Sequence, residues 1–174
     1  MYSHIWDIDY STDQMVIMNS SKYTTYLQGG GAIFMIGEHA GFASRNNTLA
    51  TFLTSLGAGS ITFDSSFPIT WTNCTLENEF LLENSNTLLQ FPAVGRFGSI
   101  GTGTPITKTA AVYNSYPIGT TGNAVVWKTG SLSNAPKGAI VSVLDVNIWQ
   151  SSYVNTPYYG SDFIKNISLI LDRF

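Results

Sequence analysis

The sequence predicts an α/β fold: a three-layer sandwich with a mostly parallel central sheet and a β-rich insertion. Three observations lead there. Two runs, Ala32–Ile36 and residues 139–146, are apolar at nearly every position, as strands covered on both faces are. Helical patterns flank both runs through short connections, the usual order of a parallel sheet. Between about residues 64 and 123, Pro, Gly and Thr punctuate short β-prone pieces and helical periodicity disappears.

The organising stretch is residues 29–59, GGGAIFMIGEHAGFASRNNTLATFLTSLGAG. It reads as a buried strand, a Gly-bracketed polar turn over 37–46, and an amphipathic helix. Leu49, Phe52, Leu53 and Leu56 fall on one helical stripe, Ser44 or Asn46 is placed to cap it, and Gly57 closes it. This is half of a βαβ unit, and its turn lies where open α/β sheets bind ligands. Before it, residues 2–9 predict a short strand. A helix over about 13–28 follows, with Val16, Tyr23 and Leu27 on its apolar face and Gly29-Gly30 as its stop. After it, residues 60–63 predict a third strand. Strand-like pieces follow at 69–72, 88–91, 106–113 and 124–128, the last returning to the main sheet. Ser161-Asp162 then caps a closing helix carrying Phe163, Ile164, Ile167, Ile170, Leu171 and Phe174.

At 174 residues the chain reads as a single domain, 1–174, long enough to bury a core without staples. Charged residues make up 11%, far below the usual quarter, while Ser, Thr, Asn and Gly fill the polar positions. That composition points to an extracellular or envelope setting, or to a surface covered in an assembly. A net charge of −3 without any basic run argues against nucleic acid as a partner. No apolar run reaches the roughly 18–20 residues of a membrane span. The first residues lack the pattern of a signal peptide, so export would require a signal or upstream region outside this chain. Cys74 is the one cysteine, which excludes an intrachain disulfide and suits a buried small hydrophobe. The sequons at Asn46, Asn73 and Asn166 matter only in a eukaryotic secretory setting.

Two blocks carry a family resemblance. LQGGGAIFMIGEHAG resembles the glycine–apolar strand–polar turn block of the class I glutamine amidotransferase-like superfamily, in its flavodoxin-like, non-amidotransferase branches. GAIVSVLDVNIWQSS with GSDFIKNISLIL resembles the closing block, in which a strand ends in Asp and an Asn/Phe-bearing helix follows. The resemblance implies a flavodoxin-like fold. It also implies an additional strand and helix ahead of residues 2–9, so the sheet edge there would be completed by an upstream domain or a second copy. The amidotransferase signature is a cysteine on a sharp strand-to-helix turn, with a later His and Glu. Cys74 lies in TNCTL without flanking glycines and no His follows it, which rejects glutamine amidotransferase activity.

Gly37-Glu38-His39-Ala40-Gly41 has the outline of a nucleophile elbow with His39 at its centre. Histidine suits a general base or metal ligand better than an acyl nucleophile. The structural alternative is a turn whose Glu38 and His39 satisfy loop backbone and cap the next helix. Ser44, Arg45 and Asn46 at a helix start suit a small anion, or else a cap and an ion pair of Arg45 with Asp7, Asp9 or Asp145. If the strands are parallel, Asp7, Asp9, Glu38, His39, Arg45, Asp145 and Asn147 gather at their carboxyl ends. The spacings match no metal motif and imply no cofactor. Residues 98–105 form a turn and not a phosphate loop. Trp149, Tyr153, Tyr158 and Tyr159 either stack on a sugar or partner or pack their own loop.

Two functions follow. The first is a non-catalytic domain acting in binding or self-assembly at the cell surface or outside the cell. The alternative is a small hydrolase of carbohydrate or amide using Glu38 and His39 with Asp145.

Overall fold

The computed structural model describes residues 4–8, 14–65, 72–80, 88–91, 94–112, 121–150 and 160–174. In chain order its elements are β1 (Ile5–Asp7), α1 (Gln14–Gln28), β2 (Ala32–Ile36), α2 (Ala43–Ser55), β3 (Ile61–Phe63), β4 (Thr72–Leu76) and β5 (Leu88–Phe91). There follow β6 (Phe97–Ile100), β7 (Thr104–Pro105), β8 (Thr107–Val112), β9 (Ala124–Trp127), β10 (Ala139–Val143) and α3 (Gly160–Leu171). The expected pieces at 69–71 and 113 lie outside the described residues, as do Asp9, Tyr153, Tyr158 and Tyr159.

The two apolar runs become adjacent strands. β2 and β10 are buried at all five positions and pair in parallel, from Ala139 opposite Ala32 to Val143 opposite Ile36. β1 adds in parallel on the other side of β2. β9 pairs antiparallel with β10, and β7 antiparallel with β9, giving the order β1-β2-β10-β9-β7. The fold is therefore α/β with a mixed sheet, where the sequence predicted a mostly parallel one. The cause is the connection between β9 and β10. It is a run of turns, too short and too irregular for the crossover that a parallel return requires.

β3, expected as a third strand after α2, lies outside this sheet and pairs antiparallel with β6. Gly57 and Gly59, both at positive φ (88° and 84°), turn the chain away. β5, β4 and β8 form a separate antiparallel sheet, so the described elements between residues 64 and 123 are strands and one single-turn 3-10 helix.

Helix ends follow from glycine. Gly30 (φ 96°) ends α1, with its N–H on the Leu27 carbonyl and that of Gly31 on Tyr26, the paired bonds of a Schellman motif. Gly57 ends α2 identically, through its own N–H on Thr54 and that of Ala58 on Leu53.

Alternation along the strands divides the core in two. Phe34, Ile36, Val141, Val143 and Val126 pack with Phe163, Ile167, Ile170 and Leu171 of α3, joined by Cys74 and Leu76 of β4. Ile33, Met35, Ile140, Val125 and Trp127 pack on the opposite side with Tyr23 and Leu27 of α1 and the predicted stripe of α2. Trp127 is fully buried and donates its indole N–H to Ile100. Leu53→Ala should cost roughly 2–5 kcal/mol in urea denaturation; a loss under about 1 kcal/mol would contradict the packing of α2 against the sheet.

Candidate functional site

β2 ends at Ile36, and Gly37 extends the ladder by one bond, its N–H reaching the Val143 carbonyl at 2.8 Å. A Cβ at Gly37 would meet the end of the Leu144 side chain, Cδ2, at 2.4 Å, so a larger residue there requires Leu144 to move. At Glu38 the ladder has run out. Asn46, in the first turn of α2, takes its place: the Glu38 N–H donates to Asn46 Oδ1 at 2.9 Å, and Asn46 Nδ2 donates to the Glu38 carbonyl at 2.8 Å. A side-chain amide presents the same donor and acceptor as a peptide group, so it acts as one more strand partner. Gly95 lies against this junction, where a Cβ would come within 2.5 Å of the Glu38 carbonyl.

The Glu38 carboxylate, itself buried, accepts the His39 N–H at 3.0 Å. His39 Nδ1 accepts the Gly41 N–H at 3.1 Å and so caps the 3-10 turn Ala40–Phe42. The ring's other nitrogen, Nε2, stands 3.7 Å from Glu38 Oε2, and its edge meets Phe42. The chain enters α2 from this turn through Phe42, which provides no side-chain cap. Neither predicted cap of α2 serves as one. Ser44 lies inside the helix and is exposed, and Asn46 is spent on Glu38. Arg45 is buried in the same turn and is not presented as an anion fork at the surface.

Asp145 lies two residues beyond β10 and is fully buried. Its Oδ1 accepts the Asn147 N–H at 2.7 Å, capping the 3-10 turn Val146–Trp149. Its Oδ2 is buried without a hydrogen-bond partner. Burial pushes its pKa up to about 7; the Asn147 N–H opposes the shift and the nearby Glu38 carboxylate adds to it. The Asn147 side chain accepts a bond from Gln150. Trp149 packs on Trp6 and Phe34, so this aromatic belongs to its own fold.

Asp7 does not join the others. It is in register with Met35, whose side chain faces the α1–α2 core, and it accepts the Tyr23 hydroxyl at 3.2 Å. Burial, then Asp7, holds the Tyr23 pKa up at about 12. Strand parity accounts for the split. Asp145 is two residues from Val143, on the α3 face, whereas Asp7 shares the Met35 face. The structure therefore assembles Glu38, His39, Asn46, Asp145 and Asn147 and sends Asp7 elsewhere. Among the described residues no hydrogen bond joins His39 to Asp145, and no group of three His, Cys, Asp or Glu is placed to hold a metal ion.

Cys74, on β4, is buried, with its thiol pushed up to about 12 by burial. Two of the three sequons are closed to modification, since Asn46 and Asn166 are buried. Two open spaces lie beside α2. One, of about 780 Å³, is lined by Ser20, Ser44, Asn47, Thr48, Thr51, Phe52 and Ser55. A smaller one, of about 230 Å³, runs from Ala40 and Asn46 to Ile61 and Phe63. Glu38, His39 and Asp145 line neither. No described helix is long and apolar enough to cross a membrane.

No protein-family model matches the chain, and no curated protein matches it in sequence. Among solved structures it is similar to one described as "mmIFT52 N-terminal domain", with a TM-score of 0.63 and 11% identity, over 95% of this chain and 81% of that one. At that identity the likeness is one of fold alone.

Asn46→Ala would leave two buried backbone groups of Glu38 unpaired and should cost roughly 2–4 kcal/mol, against less than about 0.5 kcal/mol for the exposed neighbour Asn47→Ala. Urea denaturation of the pair checks this. Asp145, with its folded pKa raised, holds its proton in the native state after the unfolded chain has lost it. Its contribution is therefore present below about pH 4 and is lost as pH rises toward 7. Asp145→Asn keeps a cap acceptor and should remove that slope, on the order of 1 kcal/mol per pH unit, from stability curves at pH 4–7.

Proposed function

We propose that this chain is a non-catalytic α/β domain of the amidotransferase-like kind, acting in binding or self-assembly at the cell surface or outside the cell. One observation carries the reading. Each side chain proposed for catalysis is bonded to a backbone N–H of its own loop: Glu38 to His39, His39 to Gly41, and Asp145 to Asn147. A general base must have a free lone pair toward its substrate. Here Nδ1 of His39 is occupied, and Nε2 faces a carboxylate. The buried, high-pKa thiol of Cys74 supports the same reading and argues against glutamine amidotransferase chemistry. In this view β1, β2 and β10, with α1 and α2 on one side and α3 on the other, are the parallel half of a three-layer sandwich.

Assembly is supported by the position of β1 at the end of the central sheet among the described residues, beside the exposed Ile8, since a strand edge templates pairing with another chain. The partner is a second copy or an upstream domain. For a ligand, the hydroxyl-rich space along α2 suits a carbohydrate better than a small anion, as no charged side chain is among its described lining residues. The 11% charge content supports an extracellular or envelope setting.

The second reading, a small hydrolase, has one observation in its favour: Asp145 titrates near neutrality beside Glu38. A panel of ester, amide and glycoside substrates separates the two. The binding reading expects equal background rates for the wild type and His39→Ala, and a light-scattering mass above the 18.9 kDa monomer at micromolar concentration. Turnover abolished by His39→Ala would establish the hydrolase, and a strictly monomeric species would remove self-assembly.

A further inference from the structure

The larger open space beside α2 has a hydrogen-bonding polarity that its residue types alone do not reveal. It takes in about 780 Å³, within the roughly 300–1,000 Å³ of small-molecule sites. One wall is Ser20 of α1, and the other is the face of α2 from Ser44 to Ser55. Phe52 closes the floor but is almost wholly buried, so polar groups and not a stacking ring meet whatever enters.

Three of the lining hydroxyls have their protons committed. Thr48 Oγ1 donates to the Ser44 carbonyl at 3.2 Å, Thr51 Oγ1 to the Asn47 carbonyl at 2.8 Å, and Ser55 Oγ to the Phe52 carbonyl at 2.7 Å. A carbonyl has no proton to give, so in each pair the hydroxyl is the donor. A hydroxyl has one proton and two acceptor positions. With the proton turned back onto the helix, lone pairs are what remain for a ligand. Thr48 and Thr51, three residues apart, present theirs from adjacent turns of one face.

That polarity selects a ligand class. An anion would meet lone pairs where it needs protons. An ammonium or guanidinium group has protons, but no carboxylate is among the described lining residues to offset its lost hydration. A polyol has many neutral donors, and the exposed Asn47 amide can answer its acceptors. We propose that this groove binds a neutral carbohydrate by accepting protons from the sugar's hydroxyls, chiefly at Thr48 and Thr51. The inference rests on the binding reading given above and adds the site and its polarity.

Titration of the isotope-labelled intact chain with maltotriose and with cellotriose, followed by proton–nitrogen spectra, tests it. The expected result is movement of the Ser20 amide and the amides of residues 44–55 with at least one of the two sugars. Thr51→Val keeps the shape without the oxygen and should weaken that binding about three- to tenfold. Thr51→Ser should restore it. Thr25→Val removes a similar back-bonded hydroxyl, on the Ser21 carbonyl and outside the groove, and should change nothing. The fully O-methylated trisaccharide keeps its oxygens, has no proton to give, and should not bind. Equal binding of the methylated sugar, equal binding by Thr51→Val, or tighter binding of sulfate would each overturn the proposal. Shifts confined to another face would overturn this groove and leave the binding reading standing. No shift with either sugar would also overturn the groove, and the binding reading would then stand or fall with the light-scattering mass.

Discussion

The two hydrogen bonds between Asn46 and the backbone of Glu38 hold the carboxyl end of the sheet together. β2 stops where its partner stops, and a strand that ends in a buried position leaves a donor and an acceptor to satisfy. Asn46 satisfies both from α2. That fixes α2 against the loop it grows from, which in turn lets the Glu38 carboxylate fold back on His39 and lets His39 cap the turn into the helix. Gly37 and Gly95 leave room at the same junction for Leu144 and, at Gly95, for the Glu38 carbonyl.

The charged residues follow from strand parity. A sheet covered on both faces has no neutral place for a carboxylate, so each must find its partner on the face where alternation puts it. Asp7 meets Tyr23 beneath α1. Asp145, on the α3 side, is buried with the Asn147 N–H and the charge of Glu38 nearby, and burial is the main cause of its raised pKa. Two acids that look equivalent in sequence thus occupy different chemical settings.

Much of the fold was legible because its signals are local. The all-apolar strands, the Leu49–Leu56 stripe and the glycine stops each act within a few residues; Ala32–Ile36 is placed as expected, and the second apolar run starts at Ala139 as expected but ends at Val143, three residues early. Strand direction was not local. The turn-rich link before β10 reverses β9, and the pairing of β3 with β6 depends on residues far along the chain. In the site, Glu38, His39, Asp145 and Asn147 were visible as polar residues at strand ends, and the capping role of His39 was one of the two readings of its turn. The bracket by Asn46 was hidden, because an asparagine in a first helical turn reads as a cap. The separation of Asp7 was readable from parity alone, once its register with Met35 was known.

His39 is a structural acceptor, its Nδ1 taking the Gly41 N–H. The long-range proton–nitrogen spectrum of its imidazole tests this most directly. A neutral ring with its proton on Nε2, and Nδ1 held by the Gly41 N–H, is the predicted state. A ring protonated at Nδ1, or one averaging freely between tautomers, would contradict it.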